Sequence, residues 1–255
     1  MAKTLFYDLE TSYNEGAYFQ LYREGNILFT TRHWHLLSFA YKWLGEKTTH
    51  VKALPDYKTY KTDKRNDVEL VKDLWGLFNQ ADIIVAHNGN AFDSKKSLSR
   101  FIFHGLKPPT PYKQIDTKLV AKRYFRFDSN KLDDLADFLG VGRKLHTGGV
   151  KLWQDCINGD LKAWNVMKRY NKQDVVLLEK IYMIFRPYIT VHPNIALLNG
   201  KTLACPNCGS ENIVREGYKI TRVNKMQQYR CKDCGAWGSA PVKKNEQTQK
   251  ITQVR

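Results

Sequence analysis

The amino-acid sequence predicts an α/β protein in which helices flank a mixed β-sheet, followed by a small β module at the C-terminal end. Predicted strands near the start lead into a region where helices and strands alternate, which is typical of a mixed sheet with helices on its faces. After residue 200, four of the five cysteines form two Cys-x-x-Cys pairs, which indicates a separate module. Hydrophobic residues make up 42% of the 255 residues, enough for a packed core, so general disorder is excluded.

Apolar periodicity predicts the individual elements. Residues 4–10 read as a strand, and the short apolar run at residues 82–86 is typical of a buried parallel strand. Residues 66–78 have the apolar spacing of a helix. The further predicted strands are residues 36–44, 48–54 and 113–116, with 212–214, 218–223 and 227–229 in the C-terminal module; the further predicted helices are residues 92–104, 117–124, 132–139 and 161–185.

Breaks in the helical pattern near residue 200 predict the domain organisation. Pro187, Pro193 and Gly200 interrupt the preceding helix and indicate a hinge. The predicted domains are residues 1–190, which carry the mixed sheet, and residues 201–240, which carry the paired cysteines. Residues 241–255 are polar and basic, and we expect them to form a disordered tail.

The charge balance points to a polyanionic partner. The chain has 41 Lys and Arg against 25 Asp and Glu, a formal charge of +16 and a pI near 9.6. Such an excess makes nucleic acid the first partner to consider. The sequence lacks both a membrane-length apolar run and a signal-like N-terminus, so it predicts a soluble cytoplasmic protein with no membrane partner.

Two carboxylates end the first predicted strand. Asp8 and Glu10 share one face of the strand, because side chains alternate between faces. Neighbouring carboxylates on an apolar strand repel each other and lose solvation, and a divalent cation between them removes both penalties. An exposed strand end is the alternative, and Asp67-Val68-Glu69 repeats the same spacing, so the pattern is weak when taken alone.

A third acid follows the buried strand at residues 82–86. The strand runs into His87-Asn88-Gly89-Asn90, and Asp93 enters the first turn of the next predicted helix. Helix N-termini attract negative charge, so a capping role explains Asp93 equally well. The functional alternative is a further metal ligand at the same sheet edge, with the polar turn in contact with a substrate.

The fourth acid lies inside a long predicted helix. Tyr170 and Asp174 are four residues apart and therefore project from one face of that helix. The same face carries Met167 and Leu178, so Asp174 interrupts an apolar stripe that faces the core. A buried carboxylate in that position needs a cation or strong hydrogen bonds.

Together, these three motifs resemble the DEDDy branch of the 3′–5′ exonucleases over residues 1–190. The resemblance implies an RNase H-like fold and two Mg²⁺ or Mn²⁺ ions held by Asp8, Glu10, Asp93 and Asp174, with Tyr170 orienting the attacking water. The sister branch has a histidine five residues before the last aspartate, and none of the seven histidines here has that spacing. The predicted substrate-binding residues are Thr11, Asn88, Phe92, Lys95 and Lys96.

The resemblance implies a metal-dependent hydrolase that releases mononucleotides from DNA 3′ ends, with single strands preferred and DNA favoured over RNA. The sequence carries no polymerase region, which favours a stand-alone nuclease over a proofreading module. The alternatives are an RNA exonuclease or a structure-selective nuclease on the same fold, or a nucleic-acid-binding protein without catalysis.

The paired cysteines predict a structural metal site. Cys205, Cys208, Cys231 and Cys234 form two Cys-x-x-Cys-Gly segments, which is the pattern of a four-thiolate zinc ribbon. A redox-active pair is the alternative, and Cys156 is left over as a buried thiol. The module also carries basic and aromatic residues suited to phosphates and bases, although a protein contact or a solvated surface explains them as well. These residues are Lys219, Arg222, Lys225, Arg230, Lys232, Tyr218, Tyr229 and Trp237.

Overall fold

The computed structural model describes residues 1–18 and 27–242. It contains two compact units, one of Lys3–Tyr182 and one formed by the described residues from Met183 onward together with Met1 and Ala2. Most of the predicted tail, from residue 243 onward, lies outside the described residues.

The first unit contains seven strands among its described residues. In chain order they are β1 (Thr4–Thr11), β2 (Glu15–Ala17), β3 (Phe29–Arg32), β4 (Leu36–Trp43), β5 (His50–Ala53), β6 (Ile83–Ala86) and β7 (Lys113–Asp116). Five of these strands form one sheet in the order β5-β4-β1-β6-β7. β1 is central, antiparallel to β4 and parallel to β6. The predicted mixed sheet is therefore confirmed.

Six helices of at least seven residues accompany this sheet in the described part of the chain. They are α1 (Val68–Gln80), α2 (Asp93–Phe103), α3 (Thr117–Tyr124), α4 (Leu132–Phe138), α5 (Val150–Asn158) and α6 (Leu161–Phe185). The sequence did not predict α5, because this short helix lies between glycines with positive φ, Gly149 and Gly159, in a segment that resembles a loop.

Two further differences concern the strands. The β2–β3 hairpin was not predicted, and it pairs only three residues of β2 with β3, too few for a periodic signal. The predicted strand at residues 48–54 is shorter, because a 3₁₀ turn at Leu54–Asp56 follows β5 directly. Pro55 lies in that turn and cannot donate a ladder hydrogen bond.

The core lies on both faces of β1. Tyr7 contacts Phe78 of α1 edge-on, with ring centroids 5.2 Å apart, so α1 covers one face of the strand. Phe6 contacts Tyr182 of α6 with the same centroid distance, so α6 covers the opposite face. Asp8 and Glu10 share the face of Phe6. The fold therefore directs two carboxylates of the central strand toward α6.

The second unit contains a small antiparallel sheet. Its described elements are helix α7 (Ile195–Leu198) and strands β8 (Ile213–Ile220), β9 (Lys225–Cys231) and β10 (Trp237–Pro241), in the order β10-β9-β8. β8 is continuous where the sequence predicted two strands, and its pairing with β9 shifts between Arg215 and Tyr218. Gly217, with φ of 70°, lies in this irregular stretch.

The segment that the sequence predicted as a hinge packs within the second unit. Arg186 is buried, and its guanidinium donates two hydrogen bonds to the carbonyl oxygen of Asn207, at 2.9 and 2.6 Å. The Asn207 side chain donates back to the carbonyl oxygen of Arg186 at 2.8 Å.

Among the described residues, no helix has the length and apolarity that crossing a membrane requires.

Candidate metal centres

The fold brings three of the four predicted acids together. The carboxylates of Asp8, Glu10 and Asp174 each offer an oxygen within 4.8 Å of the others. Two of these residues come from the central strand β1 and one from α6, which covers that face of the sheet. Asp174 is buried, whereas Asp8 and Glu10 are half-buried, so one side of the cluster is open to solvent.

A buried asparagine ties α6 to the sheet beside this cluster. Asn171 donates from its side-chain amide to Asp8, at 2.7 Å to the carboxylate Oδ2 and at 3.1 Å to the carbonyl oxygen. Its amide oxygen accepts from the hydroxyl of Ser38 on β4 at 3.0 Å. Asn171 therefore sets the distance between Asp8 and the Asp174 turn of α6. Asn171 directly follows Tyr170, and nothing in the surrounding sequence indicated that it would contact the acids.

Asp93 lies at the first position of α2, beside the cluster and outside its 4.8 Å group. Its carboxylate Oδ1 accepts from the backbone amide of Leu9 on β1 at 3.3 Å, so it links the helix to the central strand. Burial raises the pKa of Asp93 to about 7. The charge of Asp93 also helps to raise the pKa of Asp8, after burial and the charge of Asp174.

Burial and mutual repulsion raise the pKa values of the acids. The pKa of Asp8 lies well above its ordinary value, through burial and then the charge of Asp174. The pKa of Glu10 rises to about 8 for the same two reasons. Burial also raises the pKa of Asp174. A bound cation would favour the ionised form of each carboxylate and relieve this repulsion.

The donor set fits a hard divalent cation. Asp174 Oδ1 is buried and has no hydrogen-bond partner among the described residues, although a buried carboxylate oxygen normally has one. The cluster offers only carboxylate oxygens, which suit Mg²⁺ and Mn²⁺. A cation at this position would satisfy the unpartnered oxygen and the repelling charges together.

Sequence reasoning missed a lysine at the cluster. Lys144, in the segment between α4 and α5, contacts Asp174 Oδ2 with its Nζ at 2.5 Å and the hydroxyl oxygen of Tyr170 at 3.2 Å. Burial alone would lower the pKa of Lys144, but Asp174 outweighs it and holds the pKa above its ordinary value. Lys144 lies in a glycine-rich segment, and no sequence pattern links it to Asp174, which is 30 residues away in the chain.

Sequence reasoning also missed Trp153, because it lies in the unpredicted helix α5. Its indole Nε1 donates to Glu10 Oε2 at 3.2 Å, and its ring contacts Tyr170 edge-on at 6.0 Å between centroids. Trp153 therefore positions both Glu10 and Tyr170. Burial, followed by the charge of Asp174, raises the pKa of Tyr170, so this residue keeps its hydroxyl proton at neutral pH.

The polar turn after β6 has a defined structure. Asn88 adopts a left-handed φ of 68°, and its backbone N–H donates to Asp116 Oδ1 at 3.0 Å. Asp116 Oδ2 accepts from the backbone N–H of Asn90, also at 3.0 Å, and Asp116 caps α3. Asp116 therefore holds the turn, and its carboxylate is not part of the 4.8 Å acid group.

The other predicted substrate-binding residues surround the start of α2 and the end of β1. Thr11 follows the register shift at the end of β1. Phe92 precedes α2 and is 39% exposed. Lys95 is exposed, whereas Lys96 places its Nζ 3.7 Å from the ring centroid of Trp34.

The second cluster consists of cysteines. Cys205, Cys208, Cys231 and Cys234 each place a sulfur within 4.8 Å of the other three. Two of the sulfur pairs are 3.6 Å apart, close to the ~3.8 Å edge of a tetrahedron with Zn–S distances of ~2.3 Å. The cluster is therefore compatible with a zinc module.

Each Cys-x-x-Cys segment ends in a glycine with a left-handed backbone. Gly209 has φ of 75° and donates its amide to the carbonyl oxygen of Cys205 at 2.8 Å. Gly235 has φ of 76° and donates to the carbonyl oxygen of Cys231 at 3.1 Å. The two turns therefore repeat the same local geometry. Cys156 is buried in α5 and lies outside the cluster.

Comparison with known proteins agrees with this fold. The model of a family described as the RNase_H superfamily matches residues 34–185, more than half of the chain. The chain therefore belongs to the RNase H superfamily. A comparison with curated protein sequences found no match.

Among solved structures, a family B DNA polymerase from the hyperthermophilic archaeon Pyrobaculum calidifontis is similar, with a TM-score of 0.53 and 15% sequence identity. The similarity covers 73% of this chain and 25% of the polymerase chain. At this identity the likeness concerns the fold, and it agrees with the RNase H-like sheet described above.

Proposed function

We propose that this protein is a metal-dependent 3′–5′ exonuclease of the DEDDy type that hydrolyses DNA from its 3′ ends and prefers single strands. The observation that carries the proposal is the convergence of Asp8, Glu10 and Asp174, with oxygens within 4.8 Å of one another, from two elements far apart in the chain. Asp93 completes the acidic set from the first position of α2. These four acids would hold two Mg²⁺ or Mn²⁺ ions.

Family membership and charge support a nuclease that acts on nucleic acid. The RNase H superfamily match includes Asp93, Tyr170 and Asp174 but begins after Asp8 and Glu10. The formal charge of +16 favours a polyanionic substrate. A family B DNA polymerase with a similar fold supports nucleic acid as the substrate class.

The residues around the acids define the chemistry. Bound divalent cations would supply activation of a water molecule and neutralisation of charge at the phosphorus centre. The Tyr170 hydroxyl keeps its proton and faces the cluster, so it can hold the attacking water by a hydrogen bond. The ammonium of Lys144, 3.2 Å from that hydroxyl, can attract the scissile phosphate.

The turn after β6 and the start of α2 would hold the end of the strand. Asn88 would contact the terminal nucleotide from a backbone that Asp116 fixes. Phe92 offers an exposed ring for stacking on a base. Thr11 and Lys95 would add a hydroxyl and a positive charge at the same edge of the sheet.

The cysteine module would bind one structural Zn²⁺. Four protein thiolates close the coordination sphere, which leaves no position for a substrate. This zinc would therefore stabilise the module, and hydrolysis would belong to the acids. We further propose domains at residues 1–190 and 201–240 and a cytoplasmic location.

The test is Mg²⁺-dependent release of mononucleotides from a 5′-labelled single-stranded oligonucleotide. We expect the shortening of the labelled strand to proceed one nucleotide at a time from the 3′ end. Asp8→Ala should abolish it, while the same substitution at the exposed Asp137 should leave the rate unchanged.

Parallel DNA and RNA strands of one sequence separate the alternatives. Faster cleavage of RNA would indicate an RNA exonuclease on the same fold. Tight binding of either strand without any Mg²⁺- or Mn²⁺-dependent cleavage would contradict the enzymatic proposal and favour a binding protein.

A further inference from the structure

Helix α2 carries a row of aromatic and cationic contacts that begins at the acid cluster. Residues 93, 96, 100 and 103 or 104 recur at helical spacing and form one stripe along the helix. The stripe starts with Asp93, which contacts β1, and continues through Lys96 to Arg100. From Asp93 to Arg100 the helix rises ~10 Å, about three nucleotides at the stacked spacing of a strand.

Cations and rings alternate along this stripe. The Nζ of Lys96 lies 5.6 Å from the ring centroid of Phe92 and 3.7 Å from that of Trp34. The guanidinium of Arg100 lies 5.7 Å from the ring centroid of Trp34 and 4.1 Å from that of Phe103. Trp34 therefore has two cations within about 6 Å of its ring centroid, and the residue is half-buried.

Trp34 reaches this position from the end of the central strand. Ser12 follows β1, and its hydroxyl pairs with the imidazole Nδ1 of His35 at 2.9 Å. The next residue, Leu36, pairs with Thr11 in the sheet. Trp34 therefore stands next to the end of the strand that carries Asp8 and Glu10.

A cleft of about 400 Å³ continues the stripe. Its lining includes Trp34, Arg100, Phe103 and His104, together with the basic Arg32 and Arg65 and the acidic Asp63 and Asp67. This volume falls within the ~300–1,000 Å³ of sites that bind small molecules. The cleft therefore combines rings that can stack on bases with arginines that carboxylates hold in place, Arg32 and Arg65 by Glu15 and Arg100 by Asp67.

Arg100 is buried in this cleft and incompletely satisfied. Its guanidinium pairs with the buried carboxylate of Asp67, which also accepts from His104 Nε2 at 2.7 Å and from the amide of Leu36 at 2.8 Å. Its Nε has no hydrogen-bond partner among the described residues. Asp67 thus fixes the guanidinium, and Arg100 Nε is buried beside it.

We propose that this cleft is a second nucleic-acid subsite, in which Trp34 stacks on a base about three nucleotides from the 3′ end and Lys96 and Arg100 attract the adjoining phosphates. The inference rests on the proposed exonuclease function, because the stripe starts at the acids. It adds a subsite that would grip the substrate strand beyond the terminal nucleotide.

The test measures the affinity of single-stranded DNA as a function of its length. The full-length Asp8→Ala variant binds without cleaving, so it serves as the background for Trp34→Leu. A hexanucleotide reaches the cleft and should lose affinity by about tenfold or more, because base stacking on one aromatic ring contributes that much. A dinucleotide is too short to reach it and should lose less than about twofold.

Two further variants make the result specific. Trp75→Leu removes a half-buried tryptophan from α1, outside the cleft, and should leave the affinity for both strands unchanged. Trp34→Tyr keeps an aromatic ring and should restore most of the affinity for the hexanucleotide. Thermal unfolding of each variant shows whether the fold is retained.

The outcomes separate this inference from the proposed function. If the wild-type protein cleaves DNA and Trp34→Leu binds the hexanucleotide as tightly as Trp75→Leu does, the subsite is overturned and the exonuclease stands. If the wild-type protein cleaves nothing while length-dependent binding still requires an aromatic residue at position 34, the subsite stands and the exonuclease falls. A loss that Trp34→Tyr fails to restore also overturns stacking.

Discussion

The acid cluster and the cysteine cluster are both candidate metal sites, but they are built in opposite ways. The four cysteines lie between residues 205 and 234, in two turns of the same local geometry. The acids Asp8, Glu10 and Asp174 come from the central strand and from a helix that closes over it. One site needs only two short turns brought together, whereas the other needs a complete sheet.

The two clusters also differ in the chemistry of their ligands. Soft thiolates at tetrahedral spacing suit a zinc ion that holds a small module together. Carboxylate oxygens with one open side suit a hard ion that a substrate can approach. One metal would therefore supply stability, and the other would supply reactivity. Four experiments test this contrast.

The largest expected effect is the loss of the cysteine module without its metal. Structural zinc contributes ~10–16 kcal/mol of apparent binding free energy in small modules, and folding depends on it. We therefore expect Cys208→Ser, or a strong zinc chelator, to remove the zinc and open the segment from Met183 onward to proteolysis. Cys156→Ala, outside the cluster, should retain a full complement of zinc by metal analysis. A module that stays equally protected without zinc would refute the contrast.

The second prediction concerns the rate of hydrolysis. Asp174→Asn should lower the hydrolysis rate about a thousandfold or more, equivalent to ~4 kcal/mol of transition-state stabilisation. The substitution removes a charge that repels Asp8 and also removes the ion partner of Lys144, whose side chain is partly exposed. These two effects oppose each other, so the variant should unfold at nearly the same temperature as the wild-type protein in the absence of metal. A parallel loss of activity and stability would mean that Asp174 is structural.

An intermediate effect is expected for Lys144→Met. This variant removes the ammonium that contacts both Tyr170 and Asp174, so kcat should fall by about 10- to 100-fold. Without metal, the variant should also lose stability, because the buried carboxylate of Asp174 loses its cationic partner. Added Mg²⁺ should restore the thermal stability without restoring kcat. Lys151→Met, an exposed lysine of α5, provides the control.

The smallest effect is a pH dependence of stability. The pKa of Glu10 is raised from 4.5 to about 8 in the folded protein, so the folded state holds its proton more tightly than the unfolded state does. The free energy of unfolding of the metal-free protein should therefore fall as the pH rises from about 4.5 to about 8. Glu10→Gln should reduce this fall by ~1–2 kcal/mol, a modest share because Glu10 is only half-buried.

Urea unfolding at a series of pH values measures this fall directly. Saturating Mg²⁺ should abolish the fall in the wild-type protein, because a bound cation keeps the Glu10 carboxylate ionised in the folded state. Identical pH profiles for the two metal-free proteins would contradict the raised pKa of Glu10.

Much of the fold was predictable because its signals are local. The alternation in β1, the apolar run of β6 and the long stripe of α6 each extend over enough residues to show their period. The β2–β3 hairpin and α5 were missed because they are short and contain or adjoin glycines. Their absence from the prediction also removed Trp153 from the candidate residues, although it contacts Glu10 directly.

The candidate site was predictable only in part. Asp8, Glu10, Asp93, Tyr170 and Asp174 each had a local reason to attract notice, because an acid interrupted an apolar pattern or stood at a strand end. Asn171 and Lys144 had none, since a buried asparagine within a helix and a lysine in a glycine-rich segment are ordinary in sequence. Their roles depend on contacts across more than 100 and about 30 residues of chain, respectively.

The sequence by itself determined the periodic elements, the excess of positive charge and the spacing of the four cysteines. Only the tertiary structure decided which acids share one group, which lysine and tryptophan contact them, and which residues line the cleft beside α2. The physical reason is the distance along the chain between the residues that interact. Backbone periodicity and the Cys-x-x-Cys turns depend on neighbours within a few residues, whereas the charges and hydrogen bonds of the acid cluster act between residues that only the packed sheet brings together.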